Sequence, residues 1–129
     1  MNKKNNGHYY VATSVVSFKI KRSPESVKKI YDTYFTFNKE ERVSRCTPQS
    51  IAGLVACKKA IVKVVREVFG LTISPKSIIL QYRVNASPVI AFLHSDTGGL
   101  KKNMHVSVSH TKTHAFGLAV LTVEENTDE

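Results

Sequence analysis

Acidic residues are scarce in this sequence and unevenly placed. Ten aspartates and glutamates face 19 lysines and arginines, and none occurs before Glu25. Glu124, Glu125, Asp128 and Glu129 crowd the C-terminal end, so positions 1–123 hold 19 bases against 6 acids, a net of +13. Such a body attracts polyanions and speeds encounter with them, whether nucleic acid, acidic protein or phosphorylated cofactor. Long apolar runs are missing as well, and nothing approaches the roughly 20 residues that a membrane-spanning helix needs. The opening MNKKNNGHYY has lysines but no apolar segment of a secretory signal, which sets the expectation of a cytoplasmic protein with no membrane role. Cys46 and Cys57 have no companions at ligand spacing, so neither a zinc site nor a disulfide framework is expected. Phosphate-cradling glycine patterns are absent too: Gly98-Gly99 is an isolated pair that matches neither a P-loop nor a dinucleotide fingerprint.

What is present suits one domain. The chain has 129 residues, 42% of them hydrophobic, enough for one core and too few for two. The domain is expected to span 1–129, with 1–8 as a loose N-terminus and 124–129 as an acidic tail. Tyr9 to Ile20 is rich in aromatic and β-branched residues and reads as a strand. Ser23-Pro24 is a helix start, followed by an apolar spacing through Val27, Ile30, Tyr31 and Tyr34. Thr47-Pro48 opens a longer helix whose stripe runs through Ile51, Leu54, Val55, Val62, Val65 and Phe69, with Gly70 as its stop. Lys58 interrupts the stripe, and Lys59, Lys63 and Arg66 form a basic flank. Beyond Gly70 come SIILQYR and PVIAFL, read as a hairpin turning at Asn85 to Ser87. HVSVSH and HAFGLAVLTV follow as strands joined near Thr111 to Thr113. The fold class is α+β: an antiparallel sheet packed by a long central helix.

Several chemistries can be weighed against these patterns. Ser109 and His110 are neighbours on a strand and face opposite sides, which argues against a serine hydrolase pair. They are better placed to hydrogen-bond a phosphate or a backbone group. His105, His110 and His114 lack companion carboxylates or cysteines at metal spacing. Tyrosines and phenylalanines fall where helices and strands are expected to bury them, not interleaved with bases as in a nucleic-acid surface.

Five stretches together resemble the small holo-acyl-carrier-protein synthases of the 4′-phosphopantetheinyl transferase superfamily. HVSVSHTKTHAFGLAVL is similar to that family's closing strand pair, and AGLVACKKAIVKV to its helix with the A-G-R and K-E-A signatures. YFTFNKEE and NASPVI match two shorter segments, and VATSVVSFKI takes the place of the opening strand. The resemblance implies a 4′-phosphopantetheinyl transferase-like fold and transfer of the phosphopantetheine arm of coenzyme A to a serine of an acyl carrier protein, a step in fatty acid biosynthesis. It also implies magnesium held by an opening-strand aspartate and a helix glutamate, and a homotrimer with sites between subunits.

Carried onto this chain, the resemblance makes Lys58 and Lys63 candidate catalytic residues. Lys58, Lys59, Lys63, Ser109 and His110 become the candidate cofactor-binding residues. Ser14 stands where the metal aspartate is expected, Lys59 where the glutamate is expected, and Leu54 replaces the arginine of A-G-R. A serine hydroxyl is a neutral donor, and a protonated lysine has no lone pair for a metal. Both expected metal positions are therefore lost, while the site gains positive charge. Three readings follow. One is a pseudoenzyme binding coenzyme A, its product nucleotide or a carrier protein. Another is an active transferase that uses Lys59 in place of metal charge or recruits Asp32, Glu40 or Glu41. The third is a nucleic-acid or polyanion binder.

Overall fold

The structure, a computed structural model, describes residues 7–17, 29–30, 32–35, 48–82, 88–93 and 103–124. The Ser23-Pro24 helix start, Thr47, Cys46, the Asn85 to Ser87 turn, Glu40, Glu41 and residues 125–129 lie outside them. Strand β1 (Gly7–Ser17) is followed by helical residues at 29–30 and 32–34. The long helix α1 spans Pro48–Phe69, and then come β2 (Ile78–Tyr82), β3 (Pro88–Leu93), β4 (Met104–His110) and β5 (His114–Glu124).

The strands form two antiparallel sheets, one of order β1-β5-β4 and one pairing β2 with β3. Pairing corrects two sequence boundaries. Gly7 and His8, expected in a loose N-terminus, pair with Glu124 and Val123, and Glu124, expected in the tail, closes β5. The Thr111 to Thr113 turn is as expected. The Thr111 N–H donates to the His114 carbonyl at 2.8 Å, and the Thr111 hydroxyl accepts from the His114 N–H at 3.1 Å. Such side-chain capping stabilises a tight connection.

Helix α1 lies across the three-stranded sheet and is buried on most sides. Ala52, Leu54, Val55, Ala56, Cys57, Ala60, Ile61, Val64 and Val65 all belong to the core. The expected stripe is partly corrected: Phe69 is exposed, whereas Ile61 and Val64 are fully buried. The sequence pattern selects one apolar face, but a helix packed against a sheet and further elements buries more than one. The expected burial of aromatics is corrected as well, since Tyr9, Tyr10, Phe69 and Phe116 are exposed. Tyr9 and Phe116 lie on the sheet face turned away from α1.

Small residues bring helix and sheet together. Ala52 and Ala56 pack on Ala115, and Ala119 is fully buried on the same strand. At Gly117, an added β-carbon would meet the backbone of Ala56 and Cys57. The helix end is set by Gly70, whose φ of 67° suits a left-handed cap and whose N–H donates to the Arg66 carbonyl at 2.9 Å. Gly117→Ala should therefore force α1 off β5 and destabilise the fold by about 1–3 kcal/mol. Urea unfolding should show a lower midpoint, and an unchanged midpoint would mean that this contact does not limit the packing.

Candidate functional site

The lysines of α1 are directed to three different surroundings. Lys58 is fully buried, and its ammonium donates to the Tyr34 carbonyl at 2.6 Å. It also lies 4.5 Å from the centre of the Phe35 ring. Tyr34 closes the helical stretch 32–34, where main-chain carbonyls lack helical partners. A cation at that end satisfies one of them and meets the negative end of the helix dipole. Lys59 is half-buried, with its ammonium 5.8 Å from the centre of the Tyr34 ring. That is within the range of a cation–π contact. Lys63 is exposed and donates to the Thr13 carbonyl at 2.8 Å.

The Lys63 bond ties the lysine face of α1 to the part of β1 that carries Ser14. Ser14 is half-buried on the helix side of the sheet and pairs with Gly117, which in turn pairs with Val108. This row runs beneath Gly53, Ala56 and Cys57 of α1. Burial pushes the Cys57 thiol up to about 12, and the Lys58 charge opposes that shift only in part. The thiol is neutral at physiological pH and is no nucleophile there.

Ser109 and His110 sit apart from this lysine face. Both are exposed at the end of β4, where Ser109 pairs with Phe116 and His110 with Ala115. They face opposite sides, as their adjacency requires. Ser109 belongs to the outer face with Val15 and Phe116, whereas His110 lies on the helix side, two strands from β1. One chain thus brings Lys63 to β1 beside Ser14, with Lys59 one turn before it on α1, but leaves Ser109 on the other face. Sequence reasoning missed Tyr34, Phe35 and Thr13 as partners of the lysines. Two of the bonds end on main-chain carbonyls, which leave no side-chain signal.

Magnesium prefers hard oxygen ligands, and carboxylates are its usual protein donors. Ser14 and Lys59 do not supply such a set, and Asp32 is exposed. Among the described residues no group of three or more His, Cys, Asp or Glu could hold a metal ion. The described residues at these positions do not fit magnesium. No helix among the described residues is long and apolar enough to cross a membrane.

A long helix laid across an antiparallel sheet is the fold of the holo-acyl-carrier-protein synthases. One similar structure is the holo-(acyl-carrier-protein) synthase of Bacillus anthracis in complex with CoA (3′,5′-ADP), with TM-score 0.64, 20% identity and coverage of 90% of this chain and 96% of that one. The Helicobacter pylori enzyme in complex with coenzyme A gives 0.63 at 20% identity, covering 87% and 99%. The Thermotoga maritima enzyme gives 0.65 at 24% identity, covering 86% of this chain and 61% of that one. No family model matches the sequence, and no curated protein matches it either.

The Lys58 contact is open to direct test. Lys58→Met keeps the length of the side chain but leaves the Tyr34 carbonyl without its ammonium donor, and should cost about 1–3 kcal/mol. Chemical denaturation would register this as a reduced midpoint. Full stability of the variant would mean that the buried ammonium contributes nothing net.

Proposed function

We propose that this chain binds coenzyme A and an acidic acyl carrier protein on a holo-acyl-carrier-protein synthase fold, and is impaired as a magnesium-dependent phosphopantetheinyl transferase. The observation that carries the reading is the lysine face of α1 held against β1 by the Lys63–Thr13 bond. Lys59, Lys63 and Ser14 together offer donors for phosphate oxygens but no carboxylate for a metal. Coenzyme A bound to the Helicobacter pylori relative supports the choice of ligand. The net charge of +9 supports an acidic carrier as partner. Lys58 takes part by fixing Tyr34 and Phe35 beside the other lysines, and Ser109 and His110 of β4 would reach the site only from another subunit.

Assembly accounts for the separation of those β4 residues from the lysines. The outer sheet face exposes Tyr9, Val11, Val15 and Phe116, with Val11 at 54% and Val15 at 53%. Exposed apolar sheet surface of this kind is suited to burial against further protein. A homotrimer formed through that face would let Ser109 of one subunit approach the lysines of the next.

Two measurements test the proposal. Intact mass of an apo carrier protein incubated with coenzyme A and magnesium should show no added phosphopantetheine, whereas Ser14→Asp with Lys59→Glu should restore some transfer. Efficient transfer by the wild type would overturn the impairment and favour Lys59 acting in place of metal charge. For the assembly, Val15→Lys should shift sedimentation from trimer to monomer. A wild type that sediments as a monomer would remove the shared site.

A further inference from the structure

We infer that the lysine face takes a diphosphate group without a divalent cation, with the Lys59 and Lys63 ammonium groups supplying the positive charge. The inference rests on the coenzyme A reading only for the identity of the molecule that carries the diphosphate.

Lys59 and Lys63 lie four residues apart, one turn along α1, where like charges repel. Among the described residues neither lysine forms an ion pair, and Glu67, one turn beyond Lys63 on α1, is not paired with it. Their partners are neutral: Lys59 has the Tyr34 ring and Lys63 the Thr13 carbonyl. An ammonium has three N–H donors, so Lys63 keeps donors beyond the bond to Thr13. Ser14, next to Thr13 on β1, adds a hydroxyl that is only half-buried. These groups offer more donors than acceptors, together with unbalanced positive charge. A divalent cation placed among them meets two like charges and no anionic ligand. An anion with several oxygens satisfies the donors and removes the repulsion between the lysines.

Titration calorimetry with two probes, inorganic pyrophosphate and coenzyme A, tests this in the presence of magnesium and in the presence of chelator. Pyrophosphate is expected to bind in chelator and to bind no more tightly in magnesium. Lys59→Met and Lys63→Met should each weaken it by about tenfold, the loss of one charge-assisted hydrogen bond. Lys59→Arg should keep the affinity, and Lys59→Glu should make binding depend on magnesium. Circular dichroism checks the fold of each variant, and if Lys59→Met does not fold, the exposed Lys63→Met decides. Pyrophosphate binding that requires magnesium, that survives both neutral variants, or that is absent altogether overturns the inference. Binding of pyrophosphate but not of coenzyme A leaves the inference standing and removes the proposed ligand.

Discussion

The approach of α1 to β5 at Gly117 is the constraint on which the rest of the structure depends. The backbone of Ala56 and Cys57 sits where a β-carbon of residue 117 would be. This contact fixes how closely the helix lies on the sheet, and the alanines on both sides keep the seam narrow. Height above the sheet then decides what the next turn of the helix can reach. Lys63 meets a main-chain carbonyl of β1 because the helix lies low enough for it to do so. A bulkier seam would hold the same lysine away from the strand.

The second constraint is the buried ammonium of Lys58. An isolated charge in a core is strongly unfavourable, and the cost is reduced here by a carbonyl at a helix end and an aromatic face. The same contacts fasten the segment around Tyr34 and Phe35 to α1. Consecutive lysines thereby separate in role: Lys58 is held inside the protein, while Lys59 stays at its surface over the Tyr34 ring.

Much of this was legible in the sequence because it is written in periodicity and turn chemistry. The long helix begins at Pro48 and ends before Gly70, and the strands fall where the β-branched runs are. The strand-end threonines announce the β4–β5 turn. The depth of Lys58 was not legible, because a lysine in an apolar stripe reads as an interruption until a partner carbonyl is known. Tyr34 was visible only as a helix residue, since its role uses a backbone oxygen and a ring face. The outer sheet face misled for a related reason. Alternation in β1 is weak, with apolar residues on both sides, and a single sequence cannot say which side α1 covers.

The pairing of β1 with β5 also has a kinetic side. The first strand described has its hydrogen-bonding partner in the last, with β5 in the middle of the sheet. During synthesis β1 must wait until β5 has emerged, with its backbone donors and acceptors unpaired along one edge. Contacts so distant in sequence slow folding and prolong the lifetime of the open chain. For this protein the vulnerable interval is therefore before the central strand arrives.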